Sequence, residues 1–212
     1  MLAEESGLPN GRTIDYVVDG LSLRGTLFEP MAEGGSHGGV LVFPDALGVG
    51  SHARSRARRL AQAGYVALAC DLHGDGKRQD SLQQAVPLIQ ALSARPDGIR
   101  ALGVAALEAL LAQPGIDPLR VAAIGYCFGG AMALELGRSG APLAALVGFH
   151  SGLARLDGDA GRIRGRVLVC LGAEDPVVDA GQRSAFEAEM RAVGVDWQLH
   201  LYGGVYHRLP AP

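Results

Sequence analysis

Lysine is almost missing from this chain: Lys77 is the only one among 19 basic residues. Schiff-base chemistry therefore has a single candidate, in a polar stretch, and is set aside. Aromatic residues make up only 5% of the 212 residues and charged residues 19%, against a usual charged share of ~25%. The net charge of −3 supplies no basic field for nucleic acid or an anionic membrane surface. Cysteine is sparse and odd in number: Cys70, Cys127 and Cys170. That excludes a disulfide framework and fits a reducing cytoplasm. No apolar run reaches the ~18 residues of a membrane span. The opening MLAEESGLPN has neither the basic nor the apolar region of a secretory leader, so none is expected. No Walker loop or Gly-x-Gly-x-x-Gly follows a strand pattern, which leaves nucleotide binding without support.

Glycine (31 residues) and apolar side chains (48%) are abundant. Such apolar content excludes a disordered chain. The length fits one domain over 1–212, with residues 1–10 expected to be flexible. Segments 12–18 and 21–28 are β-like and joined by Asp19-Gly20, a two-residue hairpin signal. Short, nearly continuous apolar runs follow at 39–43, 65–70, 120–125, 143–149 and 166–171. Strands buried on both faces of a parallel sheet have that character. Segment 196–202 alternates more and is expected at an edge. Helical patterns lie between the runs: 51–63 with Ser51 as N-cap and Gly64 as stop, 81–93, 97–112 after Arg95-Pro96, 128–138, and 179–193 closed by Gly194. The alternation predicts an α/β fold with a mainly parallel central sheet, helices on both faces and an antiparallel hairpin at one edge.

The most informative stretch is Val121-Ala-Ala-Ile-Gly-Tyr-Cys-Phe-Gly-Gly130. A buried strand runs into Gly125-x-Cys127-x-Gly129 and then a helix, the layout of a nucleophile elbow with cysteine in the usual serine place. The turn strains its central residue, and glycines two before and two after avoid the clashes. The amide of Phe128 opens the following helix, where it can donate to an oxyanion and the helix dipole favours a thiolate. Such a nucleophile needs an acid and then a histidine downstream. Among Asp157, Asp159, Glu174, Asp175 and Asp179, the best placed is Asp175, in the loop after the 166–171 strand. His207, just past the last strand, is the expected base, whereas His200 lies within that strand. Tyr126, His150 and Arg208 are candidates for the pocket. Cys70 and Cys170 sit in apolar strands and are expected to pack in the core.

Gly125-Tyr-Cys-Phe-Gly-Gly130, Leu171-Gly-Ala-Glu-Asp-Pro176, His207, Gly64-Tyr-Val-Ala-Leu-Ala-Cys-Asp-Leu-His-Gly74 and Val42-Phe-Pro-Asp-Ala-Leu-Gly48 together resemble the dienelactone hydrolase family, a branch of the α/β-hydrolases with a Cys-His-Asp triad. The resemblance implies an α/β-hydrolase fold and hydrolysis of a small ester or lactone through a Cys127 thioester, with no metal or organic cofactor. It implies Cys127, Asp175 and His207 as the triad, and the amide of Ala46 beside that of Phe128 as oxyanion donors. The family loop often carries a Glu that holds and then helps activate the thiol; Asp45, one methylene shorter, matches it. Family arginines bind the substrate carboxylate, but neither Arg78 nor Arg208 falls on that pattern, so the hydrolase assignment carries over and the narrow substrate does not. Members usually continue past the histidine into a helix. Here Arg-Leu-Pro-Ala-Pro follows His207, so that helix is expected to be missing, the sheet near the last strand partly uncovered and the His207 loop mobile.

Rival readings exist for the same thiol: a redox sensor, which needs a resolving cysteine, or a weakened hydrolase scaffold that binds a small ligand. Asp71-Leu-His73-Gly-Asp75 reads as a strand-end loop bordering the pocket rather than a metal cluster, and His52–Arg59 as a solvated helix face. The expected partner is a small-molecule ester or lactone, with neither nucleic acid nor membrane, in a monomer or homodimer.

Overall fold

Residues 9–31, 34–155 and 162–207 are described in the computed structural model. The hairpin signal at Asp19-Gly20 joins β1 (Gly11–Val18) to β2 (Leu21–Phe28), with both turn residues at positive φ. Next come β3 (His37–Phe43), α1 (Ser51–Gln62), β4 (Val66–Ala69), α2 (Leu82–Ser93), α3 (Pro96–Leu111) and β5 (Ile116–Tyr126). The chain continues through α4 (Phe128–Arg138), β6 (Ala145–Phe149), β7 (Arg166–Gly172), α5 (Ala180–Val193) and β8 (Trp197–Tyr202). The eight strands form one sheet in the order β1-β2-β4-β3-β5-β6-β7-β8. Only β1/β2 and β2/β4 pair antiparallel; every other neighbour is parallel. β8 therefore stands at one edge, as its alternating pattern suggests, and the hairpin at the other.

The apolar runs are nearly continuous because both faces of the inner strands are covered. In β3, Leu41 and Phe43 enter the core shared with α3 and α4, while Val40 and Val42 face the Ala53, Ala57 and Ala61 stripe of α1. Small alanines let α1 lie close, and its arginines occupy the outer side, with Arg54 and Arg59 exposed. α5 packs Phe186 and Met190 into the α3/α4 core. On the face opposite α5, Gln198, His200 and Tyr202 of β8 are exposed. Cys70 and Cys170 are buried core residues.

A buried ion network ties three helices together on the α4 side. Arg138, 1% exposed, clasps Glu189 of α5 with Nε–Oε1 at 2.8 Å and Nη2–Oε2 at 2.7 Å. Its Nη1 donates to Glu135, whose other oxygen accepts from Arg100 of α3. Nη2 also donates to the carbonyl of Leu153. These charges are satisfied within the core, the condition under which burying them is tolerable.

Two local expectations need correction. Ser51 is the first helical residue and not the cap; Gly50 caps α1 in an extended conformation, where a side chain would collide with Arg78. The strand expected over 120–125 begins at Ile116, because His37 and Gly38 of β3 extend the pairing across a bulge at Gly38/Gly39. Arg208, Asp157, Asp159 and residues 1–8 lie outside the described residues, as does the segment in which a helix after His207 was expected to be missing.

Candidate active site

Cys127 sits between β5 and α4 with φ 54° and ψ −119°. A non-glycine residue there is strained, and its surroundings enforce the strain. A Cβ on Gly125 would stand inside the backbone of Gly129 and Gly130, and one on Gly129 inside the carbonyls of Phe43 and Pro44. Both glycines of the motif are thus sterically required. The Cys127 amide donates to the Phe149 carbonyl at 2.9 Å, which ties the turn to β6. The thiol stands at the N-terminus of α4, where the first amides have no acceptor inside the helix and the dipole favours negative charge.

Asp175 follows β7, fully buried at its carboxylate, and His207 follows β8, with its side chain 28% exposed. The carboxylate oxygens lie 2.9 and 3.1 Å from His207 Nδ1, and Nε2 lies 3.3 Å from Cys127 Sγ. A carboxylate only accepts, so Nδ1 carries a proton and donates to it, while Nε2 faces the sulfur. Val177 N–H donates to Asp175 Oδ1 at 2.8 Å and fixes the carboxylate. Glu174, the neighbour, points to solvent.

The His207 loop is tied down where a mobile one is expected. Glu174 N–H donates to Val205 O, Val205 N–H to Tyr202 O, and Ala173 N–H to Tyr202 O. The loop backbone passes so close over Gly172 that a Cβ there would overlap the carbonyls of Val205 and Tyr206. Gly172 is the signal in the sequence that allows this landing.

The loop after β3 lies against the elbow, since Phe43 and Pro44 crowd Gly129. Within it the Asp45 carboxylate accepts from Leu47 N–H at 3.0 Å, a short-range turn bond. The Asp45 carbonyl accepts from Gly48 N–H at 3.0 Å. In a trans peptide the N–H opposes the carbonyl, so the Ala46 amide points out of this turn. His150, at φ 41°, lies edge-on to His207, and Tyr126 stacks on Phe149 with ring centroids 5.1 Å apart. His52 approaches Tyr126 edge-on at 4.6 Å, and Tyr126 and His150 continue the line, so a row of rings runs from α1 to His207 across the helix face expected to be merely solvated. Burial raises the Tyr126 phenol above its ordinary range. A small, mainly apolar recess of about 150 Å³ opens beside Phe128, bounded by Ser93, Ile99, Ala131, Glu135, Gly152 and Ala154.

Burial pushes the Cys70 and Cys170 thiols up from their ordinary values. Among the described residues no group of three His, Cys, Asp or Glu could hold a metal ion, and no helix is long and apolar enough to cross a membrane. Residues 23–210 match the model of the dienelactone hydrolase family. The chain belongs to the dienelactone hydrolase family. A carboxymethylenebutenolidase of a Pseudomonas species is 32% identical over 172 residues, covering 74% of this chain and 70% of that one. A solved dienelactone hydrolase-like promiscuous phosphotriesterase from metagenomic libraries is 44% identical, with a TM-score of 0.91 over 95% of this chain and 84% of the other. A protein solved as m3DLH is 51% identical, with a TM-score of 0.90 over 94% and 83%. The α/β-hydrolase fold and hydrolase function expected of a dienelactone hydrolase-like chain are therefore those of this protein.

Proposed function

We propose that this hydrolase cleaves small lactones and esters with Cys127 as nucleophile, His207 as base and Asp175 as orienting acid. The observation that carries the reading is the line Asp175–His207–Cys127, with Nδ1 bound to the carboxylate and Nε2 facing the sulfur. Nε2 takes the thiol proton as Sγ bonds to the substrate carbonyl carbon. The carbonyl electron pair moves onto oxygen, where the amides of Phe128 and Ala46 hold the negative charge. Collapse breaks the carbon–oxygen ester bond, and the departing alkoxide takes the proton from Nε2. In a lactone that alkoxide stays tethered. Water then gives a proton to Nε2 and attacks the thioester, and a second collapse releases the carboxylic acid and restores the thiol. A nucleophilic thiol must stay reduced, which suits a cytoplasmic protein, and all three side chains come from one chain.

A redox-sensor reading lacks support, since the other two cysteines are buried with raised thiols. Phosphotriesters are a second substrate class, favoured by the name of the 44% identical solved relative. The test is single-turnover release of p-nitrophenol from p-nitrophenyl acetate, followed by a lactone panel and a dialkyl p-nitrophenyl phosphate. A burst stoichiometric with thiol loss, absent in Cys127→Ala, is expected. Undiminished hydrolysis by Cys127→Ala would overturn the reading.

A further inference from the structure

The loop after β4 makes an unexpected connection to the turn that carries Ala46. Asp71 lies two residues past the end of β4 and is 3% exposed. Its two oxygens collect the amides of Arg24 (2.9 Å), His73 (3.0 Å), Gly74 (3.2 Å) and Gly76 (2.7 Å). A carboxylate with four amide donors is a rigid anchor. From it His73 extends across to the loop after β3, where its Nε2 lies 2.9 Å from the Ala46 carbonyl oxygen. A carbonyl can only accept, so Nε2 carries the proton and donates.

The turn is shaped to receive this ring. Gly48 has φ 97°, and a Cβ there would come within 2.7 Å of His73 Cδ2. Two main-chain contacts lie alongside: Gln79 N–H donates to Leu47 O at 2.8 Å, and Gly48 bridges to Arg78. Three successive peptides of the turn are thus fixed by different partners. The Asp45 carbonyl is held by Gly48, the Ala46 carbonyl by His73, and the Leu47 carbonyl by Gln79. The Ala46 carbonyl belongs to the peptide that joins Ala46 to Leu47, and holding it anchors the Cα from which the Ala46 amide also extends. Of these three carbonyls, it alone is held by a side chain.

We infer that His73 is a positioning residue for the oxyanion site: its Nε2–H holds the Ala46 carbonyl, which pins residue 46 within the turn and so sets where the Ala46 amide, carried by the preceding peptide, meets the developing charge. The inference rests on the reading that this amide is an oxyanion donor. His73 touches no reacting atom in this scheme. It acts through the turn, where small misplacements matter, since ~1 Å of error can cost about 10²-fold in rate.

The test separates oxyanion support from thiol activation. Acylation by p-nitrophenyl acetate passes through an oxyanion, whereas alkylation of Cys127 by iodoacetamide does not. His73→Phe keeps the ring and removes the donor. Its burst rate is expected to fall about tenfold or more, short of the 10²–10³-fold cost of removing an oxyanion donor outright. Its alkylation rate is expected to stay within about twofold of wild type, because the triad hydrogen bonds are untouched. His73→Gln, whose amide nitrogen can take the place of Nε2, is expected to restore most of the burst rate. Gly48→Ala, which displaces the ring while keeping His73, gives the same split should His73→Phe not fold. A wild-type burst rate in His73→Phe, or a matching fall in both rates, overturns the inference. Hydrolysis by Cys127→Ala at the wild-type rate would instead overturn the reading on which it rests.

Discussion

The ring of His150 meets that of His207 edge-on, with centroids 5.2 Å apart and planes at 81°. His150 is held there by strand β6, by a left-handed backbone at φ 41°, and by its amide bond to the Cys170 carbonyl at 2.8 Å. Such a contact is worth ~0.5–1.5 kcal/mol. His150→Ala should lower kcat about threefold to tenfold, with ester KM nearly unchanged. His150→Phe should recover most of it. Equal kcat in all three proteins would show that the ring contact does not orient the base.

Asp175 fixes the tautomer of His207 through Nδ1. Asp175→Asn keeps an oxygen for Val177 N–H but can present an amide donor to Nδ1, which favours the wrong tautomer. In a serine triad the same change costs about 10⁴ in kcat. A loss of at least 10²-fold in steady-state hydrolysis is expected here, with a melting temperature close to that of the wild type. A kcat within a few-fold of wild type would remove Asp175 from the triad.

The Arg138 cluster predicts a large stability effect far from any chemistry. Arg138→Met leaves Glu135 and Glu189 buried, with Glu189 stripped of the two-pronged contact it makes. Breaking a buried pair in this way costs ~3–5 kcal/mol, readable in urea unfolding. Arg138→Met together with Glu189→Met should recover part of that loss. A single variant as stable as wild type would mean that water reaches the cluster.

The three thiols should separate by pH. Burial raises Cys70 and Cys170, so both stay neutral thiols through the neutral range and become thiolates only at more alkaline pH. Cys127 lies at a helix N-terminus beside His207. Iodoacetamide near pH 7 should therefore label one cysteine, identified by peptide mass as Cys127, and abolish activity in proportion. Label on Cys70 or Cys170 of the folded protein at that pH would contradict their burial.

Much of this was legible because local rules were enough. The near-continuous apolar runs, Asp19-Gly20, and Gly194 at φ 72° place strands and turns within a few residues. Gly125 and Gly129 announce the elbow because the steric demand lies within one turn of chain. What stayed hidden depends on distant partners. Arg138 looks like an ordinary helix-end arginine until Glu189, 51 residues later, is beside it. Nothing near His73 indicates that its ring crosses to Ala46. The true cap of α1, Gly50 rather than Ser51, is hidden for a similar reason, because Arg78 fills the space beside it. The residues after His207 suggest a mobile loop, whereas its hydrogen bonds lie before the histidine.

That anchorage divides the site mechanically. Gly172 lets the loop bearing His207 rest on the end of β7, the strand that leads to Asp175. Asp175 and His207 thus ride on one unit, clamped by the backbone bond between Glu174 and Val205. The sulfur rides on another, the strained turn between β5 and α4. Within the trio, the contact that spans the two units is the one from Nε2 to Sγ, at 3.3 Å, whereas the Asp175–His207 pair lies within one of them. In the proposed reaction the first proton transfer is therefore the step most exposed to a change in the spacing of the two units, which makes the sulfur the member of the trio that the fold could disengage.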